Sequence, residues 1–347
     1  MILEGFENYG PVDTEGPNLA TAMQARWIFA NANGAAKIVE GRCGGKALQI
    51  LVDEQNWEAT QFALNFETGQ HITVGMAFYY GAQDRTVSPT YIDSKWWGLL
   101  RGNVVQLRCR IGCTGEVWFT IPAENGDDTT RIYTSQVKTH GWHYYEWKIF
   151  IDPTAGSIET RIDGTVVSTV TGQDTGTSCN GLYLCSRLSD SQLWAYDDLY
   201  VTYGAVSQDY LGLICIESMR PSSDVVADWS GSTPHYDIVG VDIFDVNTYI
   251  SGDTLNTVDT WHCGPLDKVD TDIIAAQMTA MVKLDTGGGR QLDLICESNT
   301  SEATVSSKII SLTETGTSLV LETDPDGSTQ WTVSALEAAN YSIRVGD

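Results

Sequence analysis

The sequence predicts an all-β protein built from two sandwich-like domains. Three observations predict it. Apolar and polar residues alternate over short runs, turn dipeptides separate those runs, and sustained helical periodicity is almost absent. Glycine (33) outnumbers Lys and Arg together (20), and Trp (11) and Tyr (15) are abundant. That balance suits many short strands joined by tight turns.

Taken in order, Val104 to Ile111 alternates through Val105, Leu107 and Cys109, turns at Thr114-Gly115, and returns through Val117 to Ile121 as a hairpin. His143, Tyr145, Trp147, Ile149 and Ile151 share one strand face, with Glu146 and Lys148 on the other. Asp163-Gly164 joins Ile158–Ile162 to Thr165–Val170, a two-residue hairpin that requires positive φ. Leu182–Cys185 and Trp194–Val201 add further strands. Short strands at regular spacing predict a sandwich or jelly roll.

A boundary is expected at 206/207, near Gly204-Ala-Val-Ser207. The balance shifts there from 23 acids and 14 bases to 22 acids and 6 bases, and eight of the eleven tryptophans precede it. In the second part, Ile274, Ala276, Met278, Ala280, Val282 and Leu284 alternate, which predicts a strand despite helix-friendly composition. Gln291–Ile295, Ile309–Leu312 and Ser318–Glu322 continue the pattern. The spacing of Ser334 and Glu337 is that of a capping box, predicting a short helix over 336–340 before a last strand, Tyr341–Val345.

Forty-five acids against 20 bases give a net charge of −25. Nucleic-acid binding needs a Lys/Arg footprint, and an anionic membrane surface repels such a chain, so neither is an expected partner. No run of about 20 apolar residues is present, so no membrane insertion is expected. Met1-Ile-Leu-Glu4 lacks a basic start and an apolar stretch, so folding in a cytoplasm is expected, with the eight cysteines mainly buried free thiols.

Four stretches carry a resemblance in the first 205 residues: Gly5-Phe-Glu7; Gly41-Arg-Cys-Gly-Gly-Lys-Ala-Leu48; Trp142-His-Tyr-Tyr-Glu-Trp-Lys148 followed by Gly156 to Gly164; and Trp194-Ala-Tyr-Asp-Asp-Leu-Tyr-Val201. In order and spacing this part resembles a concanavalin A-like (laminin-G-like) jelly roll. Leu211–Pro221, Trp229, His235-Tyr236, Thr248–Ile250 and Trp331 to Tyr341 resemble the second β-domain that accompanies such jelly rolls in structural proteins of tailed-bacteriophage particles. The resemblance implies domains 1–206 and 207–347. It also implies a virion component assembled in the host cytoplasm, with other virion proteins and further copies of itself as partners.

The resemblance implies a metal as well. In many jelly rolls of this shape, an acid of the opening strand and one near the closing strand share calcium. Here these are Glu7 and Asp197 or Asp198, with Glu4 in reserve. Carboxylates plus loop carbonyls suit that hard ion. The alternative is a solvated Glu7 and an Asp198 that marks strand entry. His140 and His143 face opposite sides in a strand and make no metal pair.

The chain has no H-E-x-x-H, G-x-S-x-G or P-loop motif, and no E-x-D-x-E run that would aim two carboxylates at a sugar, so no catalytic residues are expected. For glycan or partner contact the candidates are Tyr91, Trp96 and Trp97, because one of two adjacent tryptophans faces outward if the strand is regular. The expectation is thus a non-enzymatic structural protein on the outside of a phage head, collar or tail, with a cell-surface glycan as a further ligand. The alternatives are a free lectin or a polysaccharide-degrading enzyme. High like charge suits such an outward face.

Overall fold

The computed structural model describes residues 1–15, 19, 22–23, 26–27, 36–50, 61–81, 93–112, 116–122, 128–138, 141–185, 194–241, 247–268, 272–285, 290–306, 312, 315–327 and 329–346. It is all-β, with 57% strand and 5% helix. Contacts divide the chain into two compact units, Met1–Ile216 and Glu217–Asp347.

The strands of the first unit are, in chain order, β1 (Ile2–Glu4), β2 (Ala36–Glu40), β3 (Lys46–Ile50), β4 (Gln61–Gly69), β5 (His71–Tyr80), β6 (Asp93–Arg101) and β7 (Val104–Gly112). They continue as β8 (Glu116–Pro122), β9 (Asp128–Gln136), β10 (Gly141–Phe150), β11 (Gly156–Ile162), β12 (Thr165–Gln173), β13 (Cys179–Cys185) and β14 (Trp194–Gly204). One sheet runs β12-β11-β10-β5-β14-β3-β2, with β1 also on β14; the other runs β4-β13-β6-β7-β8-β9. Neighbours distant in sequence, such as β5 beside β14, make this a jelly-roll sandwich rather than a meander. The predicted hairpin β7–β8 pairs Arg108 with Thr120. Asp163 and Gly164 both have positive φ, 51° and 77°, as a two-residue turn of this kind requires.

Aromatic rings fill the space between the sheets. Phe78 of β5 lies 4.4 Å from Trp96 of β6, and Trp147 of β10 lies 5.2 Å from Trp96 and 4.9 Å from Trp97. The expectation that one of Trp96 and Trp97 faces outward is therefore wrong: both are 0% exposed. A register shift between Lys95 and Trp97 leaves Trp96 without a cross-strand partner on β7. Such a bulge breaks the alternation and turns both rings inward.

The first unit also continues ten residues past the expected boundary. Residues 207–216 form a strap across the outer face of the eight-stranded sheet. Thr73 Oγ1 donates to the Gln208 carbonyl, the Leu211 N–H to the Tyr200 hydroxyl, and the Gly212 N–H to Glu146 Oε1. The Arg161 guanidinium lies 3.7 Å and the Lys148 ammonium 4.6 Å from the Tyr210 ring centroid. Leu211 and Ile214 pack on Ala77, Tyr144 and Tyr200. None of these contacts follows from local alternation.

The second unit contains β15 (Pro221–Ala227), α1 (Tyr236–Val239), β16 (Val258–Cys263), β17 (Ala276–Val282), β18 (Gln291–Ser298), β19 (Ser301–Ser306), β20 (Thr315–Leu321), α2 (Val333–Ala338) and β21 (Asn340–Gly346). A five-stranded sheet, β15-β16-β21-β18-β19, packs against the ribbon β17-β20. Trp261, Leu292, Leu294, Leu319, Leu321, Trp331 and Ile343 form the core between them. The alternation that predicted a strand at 274–284 appears as β17. The helix begins earlier than the capping-box spacing placed it: Thr332, not Ser334, is the N-cap, its Oγ1 accepting the Ala335 N–H. Glu337 instead accepts the Leu266 N–H. The strand expected at Ile309–Leu312 lies largely outside the described residues.

Candidate functional site

The polar chemistry predicted from sequence gathers around the 41–45 turn between β2 and β3. The Gly41 N–H donates to the Gly45 carbonyl at 2.8 Å and closes the turn. Glu7 reaches it from the start of the chain, its Oε1 accepting the Lys46 N–H at 2.8 Å. Asp197 reaches it from β14, its Oδ2 accepting the Arg42 N–H at 2.7 Å. The glycines make this approach feasible. A Cβ at Gly41 would lie 2.6 Å from Asp197 Oδ2, and one at Gly45 would collide with the Glu7 carboxylate.

Asp198 is the second buried acid of the pair, 1% exposed against 2% for Asp197. In a regular strand the two would point to opposite faces. Here the register slips between Asp197 and Tyr200, and Asp198 adopts φ 49°. Both carboxylates consequently bond to Arg42: Asp197 to its N–H, and Asp198 Oδ2 to its guanidinium at 2.9 Å. Asp198 Oδ1 also accepts the Ile216 N–H at 2.7 Å. Glu4 is engaged elsewhere, accepting from the Phe6 N–H and the Tyr9 hydroxyl and pairing with Arg26 at 3.1 Å.

Burial lifts the Asp197 carboxyl well above the usual carboxylate range, and the charges of Asp198 and Glu7 push the same way, against the Arg42 and Asp198 N–H groups. A carboxylate so placed gains from a nearby cation. Glu7 and Asp197 converge on one glycine turn, where each accepts a backbone N–H, and carboxylates are ligands that a hard ion prefers. Asp198 Oδ2 is already paired with the Arg42 guanidinium.

Two further findings had no signal in the sequence. Cys43 and Cys215, 172 positions apart, form a disulfide with Cα atoms 6.1 Å apart. This corrects the expectation of free thiols for that pair, whereas Cys109, Cys179, Cys263 and Cys296 are free. Among the described residues, Cys43, Asp198 and Cys215 also place one potential metal-ligand atom each within 4.8 Å of one another. In the second unit, His235 Nδ1 lies 2.5 Å from Asp259 Oδ2, with both side chains buried. Asp259 Oδ1 accepts the Trp229 N–H, and Asp224 accepts the N–H groups of His235 and Tyr236. The pair fastens segment 229–236 to β16. His143, expected on the Tyr145 face, bonds through Nδ1 to Asp163 Oδ2 at 2.9 Å.

Tyr91 lies outside the described residues. The outer face of the six-stranded sheet carries other aromatics. Tyr133 is 59% exposed beside Trp118, and the Arg131 guanidinium lies 5.1 Å from the Trp118 ring centroid. Alternation explains the placement, since Ile132 and Thr134 are buried on the opposite side of β9.

No protein-family model matches the chain, and no curated protein matches it. Among solved structures, it is similar to the botulinum neurotoxin serotype G binding domain, with 8% identity and TM-score 0.37 over 49% of this chain and 42% of that one. The endo-1,3-beta-glucanase from Streptomyces sioyaensis is similar over 58% of this chain and 94% of its own, with 12% identity and TM-score 0.37. The beta-glucanase of Bacillus licheniformis is similar over 60% and 98%, with 13% identity and TM-score 0.34. Among the described residues, no helix is long and apolar enough to cross a membrane.

Proposed function

We propose that this chain is a non-enzymatic structural protein of a tailed-phage particle, displayed on its outside and assembled as a homo-oligomer. One observation carries the structural reading. The acids that the chain brings together are used to hold backbone: Glu7 on Lys46, Asp197 on Arg42, Asp198 on Ile216. Carboxylates so engaged are poorly placed to shuttle protons to a substrate. The resemblance of the second part to the β-domain that accompanies such jelly rolls in tailed-phage structural proteins supports the particle, and the net charge of −25 supports an outward position. Calcium held by Glu7 and Asp197 is part of this proposal, tying the chain's start to β14. Electron microscopy of purified particles tests it: density matching the two sandwiches should project from the outer surface, and a fully assigned map without them would refute it.

A second reading, glycan binding, is favoured by Tyr133, Arg131 and Trp118. Tyr133 offers an exposed ring for stacking on a sugar, beside a Trp118 that is itself buried and carries the Arg131 guanidinium over its ring. Glycan-array binding by the chain, lost in Tyr133→Ala and Arg131→Ala, would support it. No binding to any glycan would remove it.

A further inference from the structure

We infer that Cys43 and Cys215 form a reversible thiol–disulfide site that fastens the 207–216 strap over the outer face of the eight-stranded sheet. The inference goes beyond the proposed function and does not depend on where the protein resides.

Exposure sets Cys215 apart from the described cysteines outside this bond. Cys215 is exposed and Cys43 half-buried. Cys109, Cys179, Cys185 and Cys296 are buried, and Cys263 is half-buried like Cys43. Burial pushes the thiols of Cys179 and Cys296 up to about 12 and that of Cys263 to about 11, and also raises Cys109, so these remain inert thiols. Among the described cysteines, Cys215 is the one a small reagent reaches most readily.

The pair is also held in place by contacts that do not involve sulfur. The Ile214 carbonyl accepts from Arg42 Nη1 at 2.8 Å, and the Ile216 N–H donates to Asp198 Oδ1 at 2.7 Å. Both neighbours of Cys215 are thus anchored to the Arg42–Asp198 pair beside Cys43. When the bond opens, the thiols stay close, and closure is intramolecular. Sites of that kind cycle, whereas a bond between distant flexible segments closes slowly.

The exchange partner is a low-molecular-weight disulfide such as glutathione disulfide. One cysteine thiolate attacks a reagent sulfur and expels a reagent thiolate, giving a mixed disulfide. The second cysteine thiolate attacks the protein sulfur and expels the second. Two reagent thiols form, two electrons pass from the cysteines to the reagent, and an excess of reduced glutathione reverses each step. The consequence lies under the strap. Leu3, Ala77, Trp142, Tyr144, Tyr200, Leu211 and Ile214 form an aromatic-rich cluster that the strap covers. Reduction leaves that cover held by noncovalent contacts alone.

The test uses the full chain in glutathione buffers of graded ratio. Alkylation with intact-mass analysis counts thiols, and hydrogen exchange follows the Leu211, Gly212 and Ile216 amides. Oxidising buffer should protect Cys43 and Cys215 from alkylation. Reducing buffer should expose both and speed exchange of the strap amides about tenfold, with β10 and β14 unchanged. The double variant Cys43→Ser, Cys215→Ser should exchange fast in every buffer. If that variant does not fold, the wild-type comparison decides alone. The inference is overturned if both cysteines alkylate in every buffer, or if the bond forms and the strap amides exchange at one rate. It is equally overturned if zinc chloride, added to reduced protein, blocks both thiols and restores slow exchange, since the cluster with Asp198 is then a metal site.

Discussion

Arg42 Nη1 lies 2.9 Å from Asp198 Oδ2, an ion pair between residues 156 positions apart in which the carboxylate is almost wholly buried. It couples the 41–45 turn to the last strand of the jelly roll. Removing one partner of a buried pair leaves an uncompensated charge. Arg42→Met should therefore destabilise the first unit by about 3 kcal/mol. Asp198→Asn, which removes the charge but keeps the shape, should cost less. Urea unfolding of the full chain, followed by near-ultraviolet signals, checks the order.

Calcium should raise the melting temperature of the first unit, and EDTA should abolish the rise. A hundredfold excess over Kd adds about 2.7 kcal/mol. Magnesium should substitute poorly, because it demands a tight octahedron. Glu7→Gln and Asp197→Asn should remove the calcium response, while Asp198→Asn should retain it. Equal melting in calcium, magnesium and EDTA would remove the site.

Trp96→Ala and Trp97→Ala should each destabilise by about 3–5 kcal/mol, since both rings sit between the sheets. Tyr133→Ala should leave stability within about 0.5 kcal/mol, as exposed positions do. Thermal denaturation of the three variants reads the contrast directly.

Asp163 gives a pH dependence with a definite sign. Partial burial alone would raise its carboxyl. Lys138, the Tyr144 N–H and His143 outweigh that, and the group is held below its ordinary 3.8. A depressed carboxyl contributes stability above its unfolded value and loses it as pH falls through the folded value. Acid unfolding should thus steepen below about pH 4, and Asp163→Asn should flatten that limb. An unchanged acid limb in the variant would contradict the role of this turn.

How much was legible in the sequence divides along a physical line. Alternation found β7, β8, β10, β17 and the Asp163-Gly164 turn, because one buried face imposes a period of two. It failed at Trp96 and Asp198, where a bulge inserts one residue and reverses every inference about facing. The resemblance brought Glu7, Asp197 and Asp198 to one turn, but Arg42 as their shared partner was not anticipated. The strap, the Cys43–Cys215 bond and the His235–Asp259 pair depend on contacts between distant positions, which local patterning does not encode. The helix start at Thr332 instead of Ser334 shows that two candidate capping residues in one segment are not told apart by spacing alone.

The proposal that this chain builds the outside of a phage particle is tested most directly by quantitative mass spectrometry of particles purified by density gradient. The account predicts peptides from both units in the particle band, at a constant ratio to the major shell protein across fractions. Peptides abundant in the lysate but absent from the band would contradict it.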